Sequence, residues 1–451
     1  KYSFISNEAM SSFRTVSTFS LHRSTQAIIL TYFIKTLNLK ENHQSLLSIE
    51  QTLKDYMIDM TDREDLSKMA FLIRHFEIFV DHDTLFGGSM KEIISSALAR
   101  IYFHLGNYKK AKKILEENLA ILNKNRSQEC ILKAVILADL GTIDERSGNY
   151  EKAKNQLEQS LTIYKKHFPD NYAGVAYVLR YLGNAYRKLG DNRKARELLE
   201  QGVLIYKKNL PENHLGIART LINLGMVYNK SGNYEKAKNL FEQGIVIYNQ
   251  YLPESHIGRA QALRHLGNIY IKLRNYEKAK YLLEQSFMTY VKYYPKNHVE
   301  FTWSLRSLGR LYKSMKDYKK AKSFFERSLV ANEINYGKDH IETGRTLKNL
   351  GEIYILEGDF GTGERLFKRA LTIFQNNKHP DLYIFLEKIS DLYLQKSMWA
   401  TQEGNTSFAK ELKAHSIKYL KQALAIVKTH FPLDSPHITR IQLELSKLEQ
   451  N

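Results

Sequence analysis

Cysteine is almost missing from this chain of 451 residues. Cys130 stands alone, which excludes a disulfide framework and fits a reducing compartment. Proline is scarce as well, at seven residues, and three of these (Pro211, Pro253 and Pro295) recur at one fixed spacing. No apolar run is long enough to span a bilayer, and the polar, interrupted N-terminus does not read as a secretory signal. The expectation is a soluble, cytoplasmic chain with no membrane partner. Acidic residues are in deficit, 48 Asp+Glu against 67 Lys+Arg, and the resulting net charge of +19 is enough to attract acidic partners. Chemistry-bearing motifs are absent too. There is no GxxxxGKS loop, no HExxH or CxxC, and no nucleophile and base that stand out as a pair. The glycines of EGDFGTGERLF around Gly361 sit where other units turn. The chain is expected to have no catalytic residue, no cofactor and no metal.

What is present is a repeat running from about Ile93 to Phe374. Glycines fall at Gly141, Gly183, Gly225, Gly267, Gly309 and Gly351, each 42 residues from the last, with Ala99 in the same register one period earlier. Alanines follow at Ala111, Ala153, Ala195, Ala237, Ala279 and Ala321, ending at Gly363. A fixed period of this size means stacked supersecondary units. Within one unit, Leu179, Leu182, Ala185, Tyr186 and Leu189 recur at steps of three and four, as do Ala195, Leu198, Leu199, Val203 and Tyr206. The link between these two helices is so short that it requires a tight turn, with Gly190 left-handed. Gly106, Gly148, Gly232 and Gly358 share that place, whereas Arg274 and Lys316 replace it in two units and should be strained. Gly183, Ala195 and Gly202 are expected to keep the paired helices close. His214, His256, His298 and His340 recur in the linkers. Equivalent positions ~10 Å apart cannot share a metal, so the histidines are read as starting the first helices.

The pattern L-G-x-x-Y followed by G-x-Y-x-x-A resembles the tetratricopeptide repeat, and the 42-residue period with its acidic-His linker is similar to the variety found in kinesin light chains. The resemblance implies an all-α, right-handed α-solenoid of seven units over residues 91–377. After these, residues 378–451 are expected to form an irregular eighth unit, in which ISDLY (Ile389 to Tyr393) restarts the first helix and a polar insertion precedes the second, and then a capping helix from about Pro436. Near the N-terminus, Leu21, His22, Arg23 and Gln26 resemble the end of the winged-helix module of nucleotide-switch ATPases of the NB-ARC (STAND) class. That resemblance implies a winged-helix remnant over 1–37 and a helical connector over 38–90. Because the chain starts at Lys1, it also implies an upstream ATPase domain in a longer chain, with the repeats as its sensor.

Sorted by repeat position, the charge falls into two sets. Lysines at the start of the second helices, as in EKAK and KKAK, belong to the convex wall and read as a solvated face. The first helices line the concave wall in this family, and there a stripe turns basic across five units. It comprises Tyr177, Arg180, Asn184 and Arg187, then Arg219 and Asn223, then Arg264 and Asn268, then Trp303, Arg306, Arg310 and Lys313, then Arg345 and Lys348. Arginine forks suit carboxylates, asparagine can hold an extended backbone, and tryptophan offers an anchor. The stripe reads as a groove for an acidic, extended peptide. Nucleic acid is the alternative partner for a basic solenoid, disfavoured because the convex lysines alternate with glutamates and no base-reading set is evident.

Overall fold

The computed structural model describes residues 89–450 apart from the linker stretches 125–130, 168–172, 212–213, 252–255, 294–298, 378, 380 and 431–434, together with Met69, Ile73 and Glu77. The winged-helix remnant expected over 1–37 and nearly all of the connector over 38–90 lie outside the described residues.

Seventeen helices run in order among the described residues, with no strand. The first helices of the repeats are α1 Ser89–His104, α3 Ile131–Arg146, α5 Ala173–Leu189, α7 Leu215–Lys230, α9 Ile257–Lys272, α11 Val299–Ser314 and α13 Ile341–Leu356. Their partners are α2 Tyr108–Lys124, α4 Tyr150–His167, α6 Asn192–Asn209, α8 Tyr234–Tyr251, α10 Tyr276–Tyr293, α12 Tyr318–Tyr336 and α14 Phe360–Asn376. An eighth pair, α15 Leu382–Gln402 and α16 Thr406–His430, precedes a terminal helix, α17 Pro436–Gln450. Each helix packs on its partner and on the next pair, which is the all-α solenoid that the period implies.

A left-handed residue closes every pair. Gly232 is left-handed at φ 78°, the Asn233 N–H donates back to the Tyr228 carbonyl at 2.9 Å, and the Asn233 side chain accepts from the Lys236 N–H. Arg274 and Lys316 hold the same left-handed backbone at φ 61° and 64°, as the sequence predicts. Side chains keep those two conformations at a cost that glycine avoids.

Small residues set the distance between paired helices. A Cβ on Gly267 would come within 2.7 Å of Leu283 Cγ, and one on Gly183 within 2.7 Å of Leu199 Cγ. Gly202 also faces its partner helix closely but less tightly, since a Cβ there would lie in ordinary contact, 3.5 Å from the Ala176 carbonyl. Its register carries a second device that the sequence reading missed. Ser160, Ser286 and Ser328, all in phase with Gly202, donate to the carbonyls of Ala134, Ala260 and Thr302, 26 residues earlier on the facing helix.

The eighth unit corrects the expected register. No polar insertion separates its helices. Ser397 takes the glycine place of earlier units and donates to the Ala409 carbonyl at 2.7 Å, while Gly404 makes the left-handed turn at φ 80°. The segment EGNTSFAK therefore repeats SGNYEKAK, and ISDLY lies two helical turns too early. The extra residues lengthen the helices to 21 and 25 residues. Ile438, Ile441 and Leu445 of α17 then cover the last apolar face.

Candidate functional site

The first helices face inward, and their stripe residues stand on one curved wall. Tyr177, Arg180, Asn184, Arg187, Arg219, Asn223, Arg264, Trp303, Arg306 and Arg345 line a chamber of about 390 Å³. Arg187, Arg306 and Arg345 also border an adjoining hollow of about 760 Å³ with Arg310, Lys313 and Lys348. Asn268 lines neither; its side chain accepts from Arg310 at 3.1 Å and donates to Ser307.

The wall curves until distant units touch. The Tyr150 and His379 rings meet edge to face with centroids 5.9 Å apart, linking the second unit to the eighth. Lys230 Nζ lies 3.7 Å from Asp381 at the start of α15. Trp303 reaches across the chamber, where the guanidinium groups of Arg264 and Arg146 approach its ring at 5.5 and 5.9 Å. Sequence reasoning did not find Tyr150, Lys188, Lys230, Glu342, His379 or Asp381 as members of this site, because their neighbours lie several units away. His379 did carry a signal. Its Nδ1 accepts from the N–H two residues on, as His214, His256 and His340 do at the starts of their first helices; His298 lies outside the described residues.

Carboxylates divide the basic wall into two parts. Toward α13, Glu342 is buried and accepts from Arg306 at 2.5 Å and from Arg345, and Arg345 donates on to Asp381 at 3.0 Å. Glu352 pairs with Lys313 and lies 3.8 Å from Lys348. Burial pushes these acids up, but the cations outweigh it and hold Glu342 and Asp381 well below the usual range and Glu352 at about 2. Toward α5 and α9 the cations have other company. Arg180 stacks on Tyr181 at 4.0 Å, Arg187 donates to Asn184, Lys188 lies over Tyr150, and Arg264 contacts Trp303. Burial, then Arg187 and Arg345, pushes Lys188 down to about 8. His265 is driven well below its ordinary range by burial and then by Arg264, Arg187, Arg310 and Lys188, so it is neutral.

A repeat solenoid with an enclosed, cationic concave wall is the class of protein that this geometry defines. The chain belongs to the tetratricopeptide repeat family, whose model matches residues 92–166, 174–250, 258–329 and 300–376. Among solved structures it is similar to the apo form of the quorum sensor NprR from B. thuringiensis, at 12% identity over 82% of this chain and 99% of that one, with a TM-score of 0.54. It is also similar to the Rap conjugation gene regulator of the plasmid pLS20 in complex with the Phr* peptide, at 15% identity over 73% and 95%, with a TM-score of 0.52. A kinesin light chain-type protein of Podosopora anserina with nearly identical TPR-like repeats matches at 25% identity over 44% and 94%, with a TM-score of 0.36. No protein of curated function matches the sequence. Among the described residues no helix is long and apolar enough to cross a membrane.

Proposed function

We propose that this chain is a noncatalytic binding module whose concave chamber captures an acidic, extended segment of another protein. The observation that carries the reading is the set of inward cations on α5 and α9 that form no ion pair with any carboxylate among the described residues: Arg180, Arg187, Lys188 and Arg264. Arg180 and Arg264 are buried and Arg187 and Lys188 half-buried, and a charge taken out of water is costly unless paired, so an anionic partner would supply what the fold leaves out. Asn223 beside them can hold a peptide backbone by donating and accepting at once, whereas Asn184 already accepts from Arg187 and donates to Glu145. The fold is one in which the pLS20 Rap regulator is seen with a peptide. The convex lysines do not favour nucleic acid, because Lys236, Lys278 and Lys320 lie over tyrosine rings of the preceding helices.

In the larger setting, the match at Leu21, His22, Arg23 and Gln26 supports reading the array as the cytoplasmic sensor of a nucleotide-switch ATPase. A phosphate loop upstream of Lys1 in the full-length gene product is the observation that tests this. The groove itself is tested by calorimetry with acidic peptides on the wild type and on Arg187→Gln plus Arg264→Gln. Charge-assisted hydrogen bonds contribute about 1.5–3 kcal/mol each, so losing one from each arginine should lower affinity by at least about 100-fold. Equal affinities would remove the groove from the function.

A further inference from the structure

We infer that the part of the chamber around His265 is a phosphoryl-binding site, taking a phosphate group carried on a peptide side chain or free in solution. For the peptide-borne source this rests on the acidic-segment reading above. The argument begins with where the acids stand. Glu342, Glu352 and Asp381 neutralise the α13 side, where Arg306, Arg345, Lys313 and Lys348 pair with them. Arg187, Lys188 and Arg264 line the chamber together with His265, and none of them lies in an ion pair with a carboxylate among the described residues, the buried Glu145 being linked to Arg187 only through Asn184. His265 stacks on Phe241 at 5.6 Å with its Nε2 3.3 Å from the Arg264 guanidinium, so it fixes the cluster without adding charge.

The hydrogen-bond inventory points the same way. Arg264 is only 7% exposed, and its Nε and the indole nitrogen of Trp303, which lines the same chamber, are buried donors with no acceptor. A fold seldom leaves neighbouring buried donors without an acceptor, because each loses its water without replacement. A carboxylate brings one charge and two oxygens. A phosphoryl group brings a charge of about −1.5 to −2 and three strong acceptor oxygens, enough for the Arg187 and Arg264 guanidinium forks and the Lys188 ammonium, which α5 and α9 place on one chamber wall. Three cations lining one chamber fit that compact anion better than a row of side-chain carboxylates.

The test is calorimetry on the whole chain with four probes: inorganic phosphate, and one acidic decapeptide carrying serine, glutamate or phosphoserine at its centre. The expected result is that the phosphoserine peptide binds at least about 10-fold tighter than the glutamate peptide. That advantage should vanish in Arg187→Gln plus Arg264→Gln, whose melting temperature should hold or rise because unpaired buried cations are removed. If that variant loses helical circular dichroism, Lys188→Gln takes its place. Binding of inorganic phosphate with no binding of any peptide would keep the site, assign it to a free phosphate compound and overturn the peptide reading. Equal binding of the glutamate and phosphoserine peptides would overturn the phosphoryl site and leave the acidic-segment reading standing. No binding by any probe would overturn both.

Discussion

At Arg274 and Lys316 a long side chain occupies a backbone that six other units give to glycine. A non-glycine residue in the left-handed region costs roughly 1–2 kcal/mol, although glycine gives back part of this through the unfolded state. Arg274→Gly and Lys316→Gly should each raise the free energy of unfolding by up to about 1 kcal/mol in urea titrations. A decrease would mean that those side chains make contacts outweighing the strain. Gly267 is the opposite case. A methyl placed 2.7 Å from Leu283 Cγ must displace a fully buried side chain, so Gly267→Ala should destabilise by about 1–3 kcal/mol by the same measurement. Gly202→Ala, with nothing inside 3.5 Å, should cost much less. The two glycines look alike in the sequence, and only the distance across the helix pair separates them.

At the scale of the element, each helix pair is held by an apolar seam and one short polar tie. Ser286 donates to the Ala260 carbonyl at 2.7 Å in a site closed to water. Ser286→Ala should cost about 1 kcal/mol, with most of the change in the unfolding rate if the tie forms after the transition state. The neighbouring repeats place glycine at this register in Gly202 and Gly244, and there the helices meet without a tie. The eighth pair shows how far the motif could be read. Its G-N-x-x-x-A-K segment was present at Gly404 to Lys410, but ISDLY matched the L-G-x-x-Y pattern two turns earlier and drew the register with it. Packing decided between them, because Ser397 and Ala409 are the small residues that meet where the helices cross.

The whole molecule adds what no single repeat contains, a closure between units far apart in sequence. Asp381 binds Lys230 and Arg345, and Arg345 shares Glu342 with Arg306. The two acids of this network, Asp381 and Glu342, and their neighbour Glu352 titrate lower in the folded chain than their ordinary 3.8 or 4.5. The folded state therefore binds fewer protons, so its advantage is complete above about pH 4.5 and is lost as the pH falls toward 2. Small-angle scattering should show the superhelix lengthening over that window, before its helices melt by circular dichroism. Asp381→Asn should shift the onset upward and destabilise by about 3 kcal/mol at neutral pH, since it leaves Lys230 and Arg345 short of a counter-charge. An acid profile unchanged in Asp381→Asn would show that the closure does not depend on it. Glu387 runs the other way. Burial raises it to about 7 despite Arg440, so its contribution is present at low pH and lost as the pH rises through 7.

The sequence by itself determined the repeat, its two helices, the left-handed turn and the face of each first helix that points inward. These follow from local rules, because helical period and turn chemistry act over a few residues and are repeated seven times. It also carried the basic stripe, residue by residue. Only the tertiary structure decided which of those cations are already neutralised. Arg306 and Arg345 find their carboxylates on α13 and at the start of α15, whereas Arg187 and Arg264 find none. The reason is the curvature of the array. Small packing differences summed over many units bring Tyr150 to His379 and Lys230 to Asp381, and no pattern within a 42-residue period encodes where that sum closes.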